Sequence, residues 1–185
     1  FARGDFTTDR QAFRSAKVGY NGDDGFTANT RWSFFNLLGL EPPKGWDSTL
    51  KQDYFSERGP AVGIDADYQT DNYFGFLNTY YIHDHGEDNL GPERSGYPPR
   101  ENRGRATWRH RQFLPQDWEL TLEASYISDS NFLEQFDRRE FENGKDQETL
   151  VYLLKRQDNW QFSTLFNERI NPYQTQTEHM PDAMF

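Results

Sequence analysis

The sequence predicts an all-β fold, an antiparallel up-and-down meander of about eight strands. Three observations support this prediction: polar and apolar residues alternate along most of the chain, short turn signals separate the alternating stretches, and rings supply half of the apolar residues. Of the 185 residues, 34% are hydrophobic and 17% are aromatic. Aliphatic residues are too few for a large conventional interior, yet so many aromatic rings indicate an ordered structure rather than a disordered chain.

Alternation of this kind is typical of strands, because successive side chains of a strand point to opposite faces. In the stretch 117–128 the even-numbered residues from Trp118 to Tyr126 are apolar, and the odd-numbered residues from Glu119 to Ser125 are polar. The same pattern predicts strands with one apolar and one strongly polar face at 13–20, 26–38, 61–70, 73–83, 103–114, 147–157 and 159–169, with 49–60 as an extended lead into 61–70.

Turn signals join these strands in pairs, and longer polar connections separate the pairs. Short turns are expected at 21–25, 70–72, 114–117 and 157–158, and long connections at 39–48, 83–102 and 129–146. This succession predicts all short turns at one end of the sheet and all long loops at the other. Membrane β-barrels have that arrangement, with short turns on the periplasmic side and strands of about 9–11 residues. The sheet is therefore predicted to form part of a large outer-membrane β-barrel, with a soluble sheet that has one wet face as the alternative.

Composition excludes several classes of function. The net charge of -10 argues against a general nucleic-acid binder. The absence of cysteine excludes disulfide and thiolate chemistry. No apolar run reaches the roughly 18 residues of a membrane helix, and residues 1–10 do not have the pattern of a signal peptide. We expect residues 1–185 to be a single segment of a longer transmembrane barrel.

The polar face of this sheet is the candidate functional site. It is expected to carry eight charged residues: Arg103, Arg105, Arg109 and Arg111 from one strand, Glu119 and Glu123 from its hairpin partner, and Asp65 and Asp67 from an earlier strand. Opposite charges on neighbouring strands pair favourably. If the apolar face meets lipid, these side chains line a water-filled lumen that could guide a large amphiphile bearing phosphates and sugars. A solvated face that neutralises its own charge is the other interpretation.

Two residues interrupt the apolar face. His110 and Gln112 lie on that face near the end of their strand, where we expect either the lipid headgroup zone or contact with another protein.

Enzymatic chemistry has weaker support. Asp65 and Asp67 share a face at a separation of roughly 6.5–7 Å, which suits a pair of glycosidase carboxylates. Glu119 and Glu123 are about 13 Å apart along the strand, which is too far for such a pair. Carboxylates are so abundant that one suitable pair is expected by chance, and we predict no catalytic residue and no cofactor.

The loop residues suggest further features. His83-Asp84-His85 with Glu87 and Asp88 superficially resembles a metal cluster, although an acidic outer loop that attracts divalent cations fits the residues better than a fixed zinc site. In the connection 129–146, Asp129 or Ser130 is expected to cap a short helix containing Phe132, Leu133 and Phe136, folded over a barrel rim.

Three stretches resemble one known family. They are YFSERGPAVGIDADYQ (54–69), GRATWRHRQFLPQDWELTLEASYISDSNFLEQF (104–136) and KDQETLVYLLKRQDNWQFSTLFNERINPYQTQTEHMPDA (145–183). The shared pattern is a Trp/His strand, a short turn, a Trp strand ending in Tyr-x-Ser-Asp-x-x-Phe-Leu, a charged loop, and a strand pair ending in Thr-Glu-x-x-Pro-Asp/Glu-Ala. The chain resembles the barrel of the LPS-assembly outer-membrane protein family LptD from about residue 49 to residue 183.

This resemblance implies a place in the cell outer membrane, contact with outer-membrane lipid, and lipopolysaccharide as the transported partner. It also implies an N-terminal periplasmic jelly-roll domain, an LptE-like plug lipoprotein and a periplasmic LPS-transport bridge, with no nucleic acid and no catalytic residue. Two features depart from the family pattern: no cysteine is present, and about eight strands are too few for the family's barrel. Two alternatives to this family remain: a different porin-like barrel, and a soluble β-sandwich that binds or cleaves carbohydrate.

Overall fold

A computed structural model describes residues 11–91, 94–144, 146–173 and 179–185, and most of them are in β-strands. One large sheet contains β1 (Phe13–Asn21), β2 (Gly25–Ser33), β3 (Trp46–Phe55), β4 (Gly59–Gln69), β5 (Tyr73–His83), β8 (Asn102–Leu114), β9 (Trp118–Ile127), β10 (Thr149–Gln157), β11 (Trp160–Glu168) and β12 (His179–Met184). A small ladder contains β6 (Asp88–Asn89) and β7 (Ser95–Gly96). The short helices are α1 (Phe34–Leu37), α2 (Phe132–Phe136) and α3 (Arg138–Asn143). Among the described residues, no helix is long and apolar enough to cross a membrane.

The large sheet is a meander. Each strand pairs antiparallel with the next strand of the large sheet in chain order, from β1 to β12. The predicted all-β up-and-down meander is therefore confirmed. Apart from the small ladder of β6 and β7, the described strands form one sheet rather than two packed sheets, so the sandwich alternative is not the observed arrangement. In the described part of the chain, β1 and β12 each pair on one side only.

The stretch 49–60 was expected to be one extended lead, and this expectation is wrong. β3 ends at Phe55, and β4 begins at Gly59 and pairs back along it, so that Phe55 lies opposite Gly59. Gly59 has a φ of 126°, which residues with a side chain rarely adopt. A Cβ atom there would lie 2.3 Å from the carbonyl oxygen of His83. The tight turn therefore depends on this glycine, which the alternating pattern alone did not reveal.

This turn changes which connections share an end of the sheet. We call the end with the short connections 70–72, 115–117 and 158–159 the turn end, and the end with the long connections 84–101 and 128–148 the loop end. The short turns 22–24 and 56–58 lie at the loop end, and the longer connection 34–45 lies at the turn end. The predicted separation of short and long connections holds from β4 to β11 and is wrong before β4.

The first and last parts of the sheet also differ from expectation. The strand predicted at 26–38 ends at Ser33, and α1 follows, because Phe34, Phe35, Leu37 and Leu38 break the alternation. β12 was not predicted. It is a short edge strand that contains Pro181, which has no backbone N–H to donate to a ladder. Thr177 and Glu178 of the family pattern lie outside the described residues.

Aromatic residues border the apolar face at both ends of the sheet. On three strands the two borders are eight residues apart: Trp46 and Tyr54 in β3, Tyr73 and Tyr81 in β5, and Trp118 and Tyr126 in β9. Eight residues of antiparallel strand span about 27 Å. That length, reduced somewhat by strand tilt, is comparable with the apolar band of about 25 Å between the two aromatic girdles of a membrane barrel.

The main cluster of buried apolar residues lies on the polar face at the loop end. Phe132 and Leu133 of α2 pack against Ala61, Ile82 and Ile127 of the sheet. The predicted short helix is therefore present and lies over the sheet. The expected cap is wrong by one residue or two, because Asn131 occupies the N-cap position and makes no side-chain cap bond, whereas Asp129 accepts a hydrogen bond from the backbone N–H of Asn131.

Candidate functional site on the polar face

The cross-strand register places all eight predicted polar residues on one face. Two rows run straight across the sheet: Asp67, Phe76, Arg109 and Glu123 form one, and Asp65, Asn78, Thr107 and Ser125 form the other. Arg103, Arg105 and Arg111 continue the same alternation along β8, and Glu119 continues it along β9. Their shared face is a structural fact, and their role in binding stays a prediction.

Towards the turn end, this face carries cross-strand ion pairs. An Nη atom of Arg109 lies 3.2 Å from a carboxylate oxygen of Glu123, and Arg111 forms an ion pair with Glu119. The side chains of Arg109 and Arg111 are 32% and 45% exposed, so water reaches both guanidinium groups. The buried Nε of Arg109 makes no hydrogen bond within the described residues. Binding of an anion by these two arginines stays a prediction.

Asp65 and Asp67 have different surroundings. Asp65 accepts a hydrogen bond of 2.7 Å from Nζ of Lys51 on β3. Asp67 lies opposite Asp47 of β3, which pairs with Arg14. The Asp65 carboxylate is therefore engaged in an ion pair with its neighbouring strand.

At the loop end, Arg103 lies at the centre of a buried ionic cluster, which we define as Arg58, Arg103, Asp84, Asp88 and Asp129. The Arg103 side chain is 0% exposed. It donates five hydrogen bonds of 2.6–3.1 Å to the three carboxylates. Five bonds use every N–H that a guanidinium group has. The structure thus gives Arg103 a complete set of partners within the protein.

Arg58 extends this cluster to the turn between β3 and β4. Its side chain is fully buried, and it donates to Asp84 at 2.9 Å and to Asp24 at 2.9 Å. The guanidinium groups of Arg58 and Arg103 lie 5.2 Å and 5.3 Å from the ring centroid of Phe136. The cluster consequently ties both long connections and α2 to the sheet, with cation–π contacts supporting the ion pairs.

The surroundings of Asp129 also affect its ionisation. Burial by itself raises the pKa of Asp129, but hydrogen bonds from Arg103 and Ser128 outweigh the burial and hold this pKa below its ordinary value. Asp129 therefore stays charged within the cluster, where its charge is matched by Arg103.

Arg105 links the sheet to helix α3 of the connection 128–148. It donates to Asn78 of β5 at 3.1 Å and pairs with Glu140 of α3. Arg103 and Arg105 thus face loop carboxylates, whereas Arg109 and Arg111 face strand carboxylates. The four arginines predicted as one stripe divide into a buried pair at the loop end and an accessible pair towards the turn end.

The histidine–aspartate stretch of the loop does not resemble a metal site in the structure. Asp84 and Asp88 point at Arg58 and Arg103. In the described ranges, no group of three or more His, Asp or Glu side chains is arranged to hold a metal ion.

Sequence reasoning missed Asp84, Asp88 and Asp129 as partners of Arg103, and it missed Arg58 as the second cation of the cluster. Each of the four lies in a turn or loop, where alternation gives no information about direction. The signal in the sequence was the arginine directly before the turn glycine Gly59, together with an excess of acidic residues in the two long connections.

A cavity of about 310 Å³ remains on the polar face beside α2. Its walls include Arg31, Lys51, Tyr80, Arg105 and Phe136. Asp24, Asp53 and Asp137 also line this cavity, so charges of both signs surround it. Among the arginines of β8, Arg105 lines the cavity.

On the apolar face, His110 belongs to an aromatic cluster near the turn end. Nδ1 of His110 lies 3.0 Å from the hydroxyl of Tyr68, and Nε1 of Trp108 donates to the same hydroxyl at 2.8 Å. The Tyr68 ring lies over Gly75, where a Cβ atom would approach the hydroxyl oxygen to 2.6 Å. His110 is partly exposed on the predicted face, and its contact with lipid or protein stays a prediction.

One face bordered by aromatic residues at both ends and one face lined with ion pairs define the wall of a transmembrane β-barrel. Residues 101–183, just under half of the chain, match the family model of LptD, LPS transport system D. The match confirms the predicted resemblance to the LptD family over that part of the chain. Comparison with curated proteins finds no match. The family description names transport and no catalytic activity.

Proposed function

We propose that this sheet is part of the wall of an outer-membrane barrel that inserts lipopolysaccharide into the outer leaflet. The observation that carries the proposal is the β8–β9 hairpin. It lies within the match to LptD and combines a charged face with an apolar face that is bordered by Trp118 and Tyr126. A wall of this kind separates lipid on one side from water on the other.

The edges of the sheet support a larger barrel. β1 and β12 each have one unpaired edge in the described part of the chain. Backbone groups at a free edge are unsatisfied in hydrocarbon, so a membrane sheet must close or pair with further strands. We propose that residues 1–185 form a single barrel segment. The complete transport system also includes the remaining strands, a periplasmic jelly-roll domain, an LptE-like plug lipoprotein and the periplasmic LPS-transport bridge.

We propose that the two pairs of arginines have different roles on the lumen side, one in binding phosphate and one in holding the loops. Arg109 and Arg111 have water-exposed guanidinium groups, and a lipopolysaccharide phosphate can compete with Glu123 and Glu119 for them. Arg103 and Arg105 hold the loops that cover the loop end. With short turns on the periplasmic side, the loop end faces outside, so the covered end limits leakage while the saccharide passes along the wall.

Photocrosslinking in the full-length protein tests this proposal. A photoreactive amino acid is introduced at position 121 or at position 122. Thr121 lies on the lumen face opposite Arg111, and Leu122 lies on the lipid face opposite His110. We expect lipopolysaccharide adducts at Thr121, and phospholipid adducts at Leu122. The absence of lipopolysaccharide at Thr121 in an inserted barrel would favour a porin-like channel instead. A full-length protein that neither fractionates with outer membrane nor changes gel mobility on heating would contradict the barrel itself.

A further inference from the structure

A lysine lies on the apolar face between two tryptophans at the turn end. Nζ of Lys155 on β10 is 5.2 Å from the ring centroid of Trp118 on β9 and 5.9 Å from that of Trp160 on β11. Lys155 is directly opposite Trp118 in the β9–β10 ladder. We call these three residues the tryptophan–lysine cluster.

The cluster differs from the other cationic groups described above. Arg103, Arg105, Arg109 and Arg111 lie on the polar face and pair with carboxylates. Among the described residues, no carboxylate oxygen lies within 4 Å of Nζ of Lys155. Asp117 and Asp158 are the acidic residues of the two adjacent turns, and the cavity that opens beside the cluster includes both. The ammonium group is partly exposed and contacts aromatic faces.

We propose that the tryptophan–lysine cluster binds the phosphate of an anionic glycerophospholipid in the periplasmic leaflet. This proposal rests on the proposed function, because it needs the apolar face to lie in a membrane with the turn end on the periplasmic side. Tryptophan rings lie at the level of the headgroups, and a lysine near a strand end extends its ammonium group to the same level. The ligand at that depth with the complementary charge is a lipid phosphate.

The proposal predicts selectivity for anionic headgroups. The two indole rings hold the ammonium group at the lipid-facing surface, since cation–π contacts attract it to the ring faces. A headgroup with net negative charge gains from this cation. A zwitterionic headgroup has no net charge, so it gains less from this cation. Acyl chains then run along the apolar residues of β9 and β10, such as Leu120 and Leu153.

Native mass spectrometry of the full-length protein in detergent tests the proposal. The added lipids are phosphatidylglycerol and, separately, phosphatidylcholine. We expect Lys155→Gln to weaken phosphatidylglycerol binding about five-fold, the effect of one basic residue near an anionic lipid surface. Lys155→Arg should keep the binding. Lys44→Gln is the matched control, because it removes one positive charge from the exposed connection 34–45 at the same end of the sheet.

Each outcome bears on one idea. Equal phosphatidylglycerol binding by the wild type and Lys155→Gln, or an equal loss in Lys44→Gln, overturns the site. Binding of phosphatidylcholine as tightly as phosphatidylglycerol, or competition by inorganic phosphate alone, overturns the anionic-lipid assignment. Failure of the wild-type protein to shift on heating contradicts the proposed barrel instead, and that readout is independent of lipid binding.

Discussion

At the scale of single residues, the loop end of the fold depends on the ion pairs between Arg103 and three buried carboxylates. A buried guanidinium group with five hydrogen bonds to three carboxylates is stable only as a set, because each buried charge needs its partners. Removal of the cation would leave Asp84, Asp88 and Asp129 close together with Arg58 as the remaining positive group of the cluster.

We therefore expect Arg103→Gln to destabilise the loop end. Loss of one partner from a buried ion pair costs about 3–5 kcal/mol. The measurement is limited proteolysis of the connections 84–101 and 128–148 in the folded full-length barrel. Arg138→Gln is the control, since Arg138 pairs with Glu142 on the exposed surface of α3 and surface pairs contribute little. Equal protection of the loops in wild type and Arg103→Gln would contradict the central position of this residue.

The lowered pKa of Asp129 gives this cluster a pH dependence. A carboxyl group whose pKa is depressed in the folded state contributes its stability above its ordinary pKa of 3.8 and loses it as the pH falls through the folded value. We expect proteolytic protection of α2 to be constant at neutral and mildly acidic pH and to fall once the pH drops below the ordinary value. Limited proteolysis of the wild type and Asp129→Asn, with a neutral protease at neutral pH and with pepsin at acidic pH, measures this. The variant should be less protected at neutral pH and should lack the part of the acid-dependent loss that Asp129 contributes.

At the scale of elements, alternation predicted the strands well and the connections poorly. The predicted stretch 73–83 coincides with β5, and 103–114 differs from β8 by one residue. Both are long strands with one uniform face. The turn between β3 and β4 was missed because the stretch Glu57-Arg58-Gly59 is short. The alternation of polar and apolar residues continues before and after it. The eight polar residues were placed on the correct face for the same reason that the strands were predicted. Their loop partners were not predictable, because the contacts of a loop depend on the path of its backbone.

Helix α2 packs the connection 128–148 against the polar face of the sheet. Phe132 is 1% exposed and packs in the cluster with Ile82 and Ile127 of the sheet. We expect Phe132→Ala to cost about 3–5 kcal/mol, the usual range for a buried phenylalanine in a packed core. The measurement is hydrogen exchange of residues 128–137 in the full-length protein. Phe141→Ala on α3 is the control, because Phe141 is 47% exposed. If exchange is unchanged in Phe132→Ala, α2 is held by the ion pairs alone.

At the scale of the whole molecule, the two faces together determine the solvent on each side. A soluble sheet would expose the apolar face to water, and the described side chains include large exposed hydrophobic groups on that face, such as Val62, Tyr81 and Val151. A contiguous apolar surface that extends across strands from β4 to β10 is an aggregation hazard in water and a requirement in lipid. The two faces therefore support the proposed position of the meander, with a membrane on one side and water on the other.

A charge placed on either face of β9 distinguishes these two sides. Thr121 and Leu122 are neighbours near the middle of the strand and point to opposite faces. An arginine at the midplane on the lipid face costs about 2–4 kcal/mol, whereas a lumen substitution mainly alters selectivity. We expect Leu122→Arg to reduce the amount of folded full-length barrel in the outer membrane, as measured by the heat-dependent gel shift of outer-membrane fractions. Thr121→Arg should assemble at the wild-type level. The reverse ranking would mean that the lumen and lipid faces are exchanged, and equal assembly of both variants would show that neither face meets hydrocarbon at this depth.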